Sequence, residues 1–154
     1  MCCTLPAGET ADITMVTDLR ANKVEEIRAN SGGEFAWYFP ETRDQFRIAG
    51  ELKVIAHDSA DMQAERTAAW KKMSPNGRAQ FAWPNPGIPR LDDENPDAFD
   101  IPDGLVADGE GVLENFCLVV MNVDEVDHLS LKSNRRYHHT KSEQDGWVSN
   151  EVNP

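Results

Sequence analysis

At 154 residues the chain has room for one domain built on one hydrophobic core. Charged residues make up 27% and hydrophobic residues 40%, which separates it from disordered sequences. A net charge of −12 argues against nucleic acid and membrane surfaces as partners, because phosphate backbones demand an excess of Lys and Arg. A small phosphorylated ligand stays compatible with that acidity where cations are concentrated locally. Cys2, Cys3 and Cys117 make a poor disulfide framework: the first two are adjacent, and Cys117 lies in an apolar run that suits a small buried hydrophobe. No CxxC or His-x-x-x-His spacing offers a zinc site, so no metal is expected. Neither a membrane-length apolar run nor a basic-plus-apolar leader is seen, and the expected compartment is the reducing cytoplasm.

Residues 1–11 read as irregular. Residues 12–17 (DITMVT) form a short β-rich run. A helix is predicted over about 21–29, with Asn22 and Glu25 spaced as a capping box and Val24 and Ile27 on its buried side. Residues 34–39 carry aromatics on both faces, which predicts a strand covered on both sides. Residues 45–57 alternate strictly. Phe46, Ile48, Gly50, Leu52, Val54 and Ala56 form one row, and Gln45, Arg47, Ala49, Glu51, Lys53, Ile55 and His57 form the other. That is a long half-buried strand, in which Gly50 marks a bulge or a close backbone approach. Asp58 or Ser59 caps a helix running to about Lys72, and Ser74-Pro75 starts a short second one that stops before Pro84. Pro84, Pro86, Pro89, Pro96, Pro102, Gly104, Gly109 and Gly111 predict a long surface loop over 84–111. Residues 115–123 read as a central buried strand, followed by a meander of short strands over 125–131, 136–140 and 146–152. With about seven strands, two or three inserted helices and no strand–helix alternation in the second half, the fold class is mainly β, an antiparallel β-barrel with inserted helices.

Arg20 and Lys23 fall at the N-terminal turn of the first helix. Cations there oppose the helix dipole. A bound anion would reverse that by meeting free N–H groups and both cations together; the alternative is two solvated surface charges. Gln45 and Arg47 share the polar row of the long strand, which either faces solvent or lines a ligand groove. In a groove, the Gln amide offers a donor and an acceptor to a heterocycle edge. Trp37, Trp70, Phe81 and Trp83 are expected in the core. Arg66 and Arg78 flank them on helices and could take a carboxylate or phosphate, although Arg78 could equally pair with a local acid. His128, His138 and His139 read as surface or edge residues, since neighbours in a strand point to opposite faces. Arg136, beside Arg135, can reach a ligand between strands. No Ser/His/Asp order, nucleophile elbow or Gly-rich phosphate loop is present. Catalytic residues therefore stay unassigned, and a bound redox cofactor would carry the chemistry.

The segments VTDLRANK (16–23), WYFPETRDQFRIAG (37–50), RTAAWKKMSPNGRAQFAWPNPG (66–87), NFCLVVMNVDEVDHL (115–129) and RRYHHTKSEQDGWVSNEVNP (135–154) resemble the pyridoxamine 5′-phosphate oxidase-like flavoproteins. Within that family they are similar to the branch known as the Alr4036-type FMN-binding domain. The resemblance implies an FMN-binding split barrel of antiparallel Greek-key type, a homodimer with FMN in a groove between subunits, and an FMN-dependent oxidoreductase of unknown substrate. By position, Thr17 and Lys23, with Arg20 in support, match the turn that grips the FMN phosphate. Gln45 matches the Gln that meets the flavin ring, and Arg136 the Arg beside the isoalloxazine. Arg66, Arg78 and Lys132 are the candidates for a small anionic substrate. The family's first flavin-binding strand should precede VTDLR, where only MCCTLPAGETAD stands, so the expectation over 12–154 is a single domain lacking its usual first strands. Asn22 stands where the oxidases carry a phosphate-binding cation, and Lys132 and Asn134 where they carry an Arg-x-His substrate pair. Two alternatives stay open: a non-catalytic flavin- or cofactor-binding module, and a truncated domain that no longer binds FMN.

Overall fold

Period-two alternation and short amphipathic helices account for the elements in the computed structural model, which describes residues 12–90, 95–101, 104, 109–142 and 146–154. In chain order the described residues form β1 (Asp12–Asp18), α1 (Asn22–Ala29), β2 (Gly32–Phe39), β3 (Asp44–Ile55), α2 (Gln63–Lys72), α3 (Pro75–Ala79), a 3-10 turn (Pro96–Phe99), β4 (Phe116–Ser130), β5 (Arg135–Ser142) and β6 (Gly146–Val152). Strands β2, β3, β4, β5 and β6 are hydrogen-bonded in that order, and β1 pairs with β4. The β2–β3, β4–β5 and β5–β6 pairs are antiparallel. The expectations for residues 1–11, with Cys2 and Cys3, and for Pro102 lie outside the described residues. The described chain divides into two units, one made of Thr14–Asn30 and Val54–Val120, the other chiefly of Ser31–Lys53 and Met121–Pro154. Among the described residues, no helix is long and apolar enough to cross a membrane.

The first unit buries an aromatic cluster. Trp70, Phe81 and Phe116 meet edge to face, with centroids 5.0–5.9 Å apart, the geometry their ring quadrupoles favour. Ile55, Leu118 and Val120 form an aliphatic cluster with Val16 and Met62. Cys117 is buried and free, and burial pushes its thiol up to about 11, so it stays neutral and behaves as a small hydrophobe. Helix α1 buries Val24 fully and Ile27 only in part. Its N-cap is Ala21, with no side-chain cap; Asn22 is already helical, so the Asn22–Glu25 capping box does not form.

Helix α2 starts at Gln63, not at Asp58 or Ser59. Ser59 closes a turn at the end of β3 instead, its Oγ accepting the Ala56 N–H at 2.9 Å. The Gln63 amide then donates to the Ala56 and Ser59 carbonyls at 2.8 and 3.0 Å. The Ser74-Pro75 start holds: Ser74 Oγ accepts from the Gly77 N–H at 3.2 Å, with Pro75 in the first turn.

In the second unit the β2–β3 register runs unbroken from Gly32↔Glu51 to Phe39↔Asp44. No bulge interrupts that ladder at Gly50, which comes close to β4 instead. A Cβ there would lie 2.0 Å from the Asn122 carbonyl oxygen and 2.9 Å from Val123 Cα. Strand β2 is not covered on both sides, since Trp37, Tyr38 and Phe39 are 44%, 49% and 38% exposed. Trp37 accordingly is no core residue; it stacks on Phe39, with centroids 5.1 Å apart. The two strands expected over 115–123 and 125–131 are one, because Asn122, Asp124 and Glu125 turn to solvent without breaking the ladder. His138 Nε2 lies 2.7 Å from Glu125, while His139 Nδ1 lies 2.6 Å from Ser149 Oγ, each neighbour on its own face of the sheet.

The Gly50 contact is with backbone, which cannot swing aside. Gly50→Ala should cost at least about 2 kcal/mol of stability in urea unfolding. A change of a few tenths would show that the strands separate easily there.

Candidate functional site

Residues 14–18 of β1 form one wall of a cleft of about 820 Å³ in the first unit. The end of α2, helix α3 and residues 83–90 form the other. The volume lies in the range of small-molecule and cofactor clefts. Val16, Phe81, Trp83 and Leu118 give it an apolar lining, and the polar groups that reach it include Thr17, Lys72, Gln80, Asn85 and Arg90. The chain is strongly acidic overall, yet this lining carries two lysine or arginine side chains besides a carboxylate, Asp18, that is already neutralised by Arg20. Thr17 is 8% exposed. The indole N–H of Trp83 is buried and has no acceptor among the described residues, as is also true of Trp70 in the aromatic core. Leaving such a donor unpaired costs about 1–3 kcal/mol, so an acceptor arriving beside Trp83 would be favoured.

Arg20 lies on the turn between β1 and α1, and its guanidinium is fully engaged within the first unit. Nε and Nη2 donate to the two Asp18 carboxylate oxygens at 2.9 and 2.7 Å. Nη1 donates to the Trp83 carbonyl at 2.9 Å and to Asn85 Oδ1 at 3.0 Å. Hydrogen bonding to Asp18 raises its pKa further, against the opposing effect of burial. Lys23, in the first turn of α1, is exposed and has no ion pair among the described residues.

The two helical arginines expected to meet an anion point into the protein. Arg66 is 4% exposed; Nε and Nη2 donate to the Phe116 carbonyl at 3.0 and 2.8 Å, and Nη2 reaches the Leu113 carbonyl at 2.7 Å. Burial pulls its pKa down from the usual arginine value. Arg78 is 5% exposed and donates to the Met73 carbonyl. Gly109, at φ 72°, passes over it so closely that a Cβ would sit 3.1 Å from the guanidinium carbon. Lys132 is exposed in the turn between β4 and β5.

The remaining site residues belong to the second unit. Gln45 is half-buried on β3 opposite Tyr38, on the same face as Arg47. A smaller hollow of about 360 Å³ there is lined by Glu34, Arg47, Glu125, Asp127, Arg136 and His138, among others. Both arginines are already paired through two bonds each. Arg47 meets Glu34 at 3.0 and 3.0 Å, and Arg136 meets Asp127 at 2.9 and 2.6 Å. The hydrogen bonds from Arg136 hold the Asp127 carboxyl below the usual carboxylate range, against the opposing effect of burial.

Sequence reasoning missed Gln80, Asn85 and Arg90, and took Trp83 for a core residue although it is half-buried on the cleft. The available signal was the run of Pro84, Pro86 and Gly87 directly after an aromatic pair, which makes a stiff wall and not an ordinary surface loop.

Comparison with known proteins gives the class. The family profile described as pyridoxamine 5′-phosphate oxidase, FMN-binding domain, matches residues 5–56. Pyridoxine/pyridoxamine 5′-phosphate oxidase 2 of Arabidopsis thaliana is 31% identical over 148 residues, covering 92% of this chain and 72% of that protein. The crystal structure of a pyridoxamine 5′-phosphate oxidase-related, FMN-binding protein from Nostoc punctiforme PCC 73102 superposes with a TM-score of 0.89 at 35% identity, over 99% of this chain and 78% of that one. PhzG from Burkholderia lata 383, in complex with tetrahydrophenazine-1-carboxylic acid, shares the fold, with a TM-score of 0.70 at 16% identity over 94% and 73% of the two chains. The chain belongs to the pyridoxamine 5′-phosphate oxidase family, with the mainly antiparallel, few-helix architecture of its FMN-binding split barrels. FMN is the cofactor of that domain.

Arg66→Met should destabilise the fold by about 2–4 kcal/mol, because the Leu113 and Phe116 carbonyls lose their donors. Chemical denaturation measures this. A variant of unchanged stability with weakened anion binding would instead return Arg66 to a ligand role.

Proposed function

We propose that the chain is an FMN-dependent oxidoreductase acting on a small anionic substrate, and that the cleft of the first unit holds the cofactor. The observation that carries the proposal is the cleft's donor set. The Thr17 hydroxyl, the Gln80 and Asn85 amides, the unpaired Trp83 indole N–H and the cations Lys72 and Arg90 suit a flat heterocycle with carbonyl acceptors and a phosphate tail. Bound FMN supplies two-electron redox chemistry. Thr17, on the cleft wall, and Lys23, which lies outside the lining, are assigned to the phosphate by family position, Lys23 also because it is an exposed cation of the α1 first turn, where anions are favoured. Gln45 and Arg136 match the family's ring-contacting positions, but both belong to the second unit and Arg136 is held by Asp127, so the cleft reading does not draw on them.

With Arg66 and Arg78 turned inward, the cleft residues Lys72 and Arg90 take over as candidates for an anionic substrate; Lys132, in the second unit, rests on its family position alone. Pyridoxamine 5′-phosphate, the compound named for the Arabidopsis relative, is the first substrate to try. One observation favours a non-catalytic flavin carrier: Asp18, the carboxylate on the cleft wall, is tied to Arg20 and is poorly placed to move a proton. The exposed Trp37, Tyr38 and Phe39 of β2, with Trp147, Val148 and Val152 of β6, support a homodimer, because large exposed apolar groups mark interaction surfaces. The free buried Cys117 agrees with a cytoplasmic location.

Titration with FMN and with riboflavin, followed by flavin fluorescence, tests the cofactor assignment. Lys23→Ala should weaken FMN by about tenfold to a hundredfold, the value of a charge-assisted bond, and leave riboflavin nearly unchanged. Equal loss for both flavins, or no FMN binding by the unaltered protein, would overturn it. Light scattering should give twice the chain mass of 17.2 kDa, and a solution monomer would remove the dimer from the proposal.

A further inference from the structure

We infer that Arg20 is a positioning residue that holds residues 81–85 against β1 and so sets the width of the cleft; it is not a phosphate ligand. The inference rests on reading that cleft as the FMN site and adds a residue to it.

The local chain makes the first half of the device. Asp18 ends β1, and the Arg20 backbone N–H donates to its Oδ1 at 2.8 Å while the guanidinium grips the same carboxylate through two further bonds. These contacts fix the plane of the guanidinium and neutralise its charge, with both side chains mostly buried, at 21% and 16% exposure. The second half is long-range. Nη1 reaches the Trp83 carbonyl and Asn85 Oδ1, and Nη2 reaches the Phe81 carbonyl at 3.4 Å, across more than sixty residues of sequence.

Residues 81–85 need such a donor. Pro84 has no N–H, the segment belongs to no helix or strand, and its partly buried carbonyls must be satisfied by side chains. Asn115 provides a parallel strut. Its amide donates to the Phe81 carbonyl at 3.0 Å, and its own carbonyl accepts the Leu19 N–H at 2.7 Å. Asp18, Phe81, Trp83 and Asn85 all line the cleft, so the fork spans from one wall to the other. Redirecting it to a phosphate would break these contacts and leave Asp18 unpaired. A lysine offers one ammonium in place of a planar fork and cannot replace it.

The test uses the full chain and the variants Arg20→Lys, Arg20→Ala and Asp18→Asn, the last keeping Arg20 but freeing its fork. Amide hydrogen exchange without flavin should speed up about tenfold or more over residues 81–90, relative to the β4–β5 hairpin of the same protein. FMN and riboflavin affinities should fall by the same factor, about tenfold, since a wall is lost and not a phosphate contact. Arg20→Lys should not restore either. Unchanged exchange over 81–90 with a loss confined to FMN would overturn the inference and make Arg20 a phosphate ligand. Faster exchange over 81–90 in a protein that binds neither flavin would uphold the positioning role while removing the FMN assignment.

Discussion

Irregular backbone that passes through a protein interior must have its carbonyls met by donors, and here guanidinium groups supply them. Residues 73–85 and 113–116 lie largely outside the sheet ladders, yet they frame the cleft and the aromatic core. Arg78 takes the Met73 carbonyl, Arg20 those of Phe81 and Trp83, and Arg66 those of Leu113 and Phe116. Burying a guanidinium costs several kcal/mol unless its N–H groups are bonded, so each cation is stable inside only because the loops offer acceptors. The dependence is mutual: neither the loops nor the buried cations would hold without the other.

That constraint explains how an acidic chain can offer a site for an anion. Arg20, Arg66 and Arg78 are consumed by structure, as are Arg47 and Arg136 by Glu34 and Asp127. Lys23 and the cleft residues Lys72 and Arg90 are exposed, with the Arg90 guanidinium over the Phe99 ring. The cleft lining thus carries Lys72 and Arg90 in a chain that is acidic overall.

Much of the fold was legible because it depends on local chemistry. Strict alternation located β3, the Ser74-Pro75 pair located α3, and Gly50 was marked as a place where something comes close. What was not legible depends on distant partners. Ser59 and Asn22 have capping chemistry, but Ser59 is drawn into a turn and Asn22 lies one residue too far into α1. Trp37, Tyr38 and Phe39 look like core by composition, yet they stay 38–49% exposed. Arg66 and Arg78 were readable as cations near aromatics; that their partners are carbonyls, 47 to 50 residues away for Arg66, is a tertiary fact. Of the residues singled out by sequence pattern, Thr17 lines the cleft and Lys23 does not, and the wall formed by Trp83 and Asn85 required the fold.

Amide-resolved NMR during FMN titration distinguishes whether the flavin lies between β1 and residues 83–90 as proposed. Binding there should move residues 14–18 and the non-proline amides of 83–90 more than any others. Saturable FMN binding that leaves those amides unmoved, with shifts confined to the second unit, would contradict that placement.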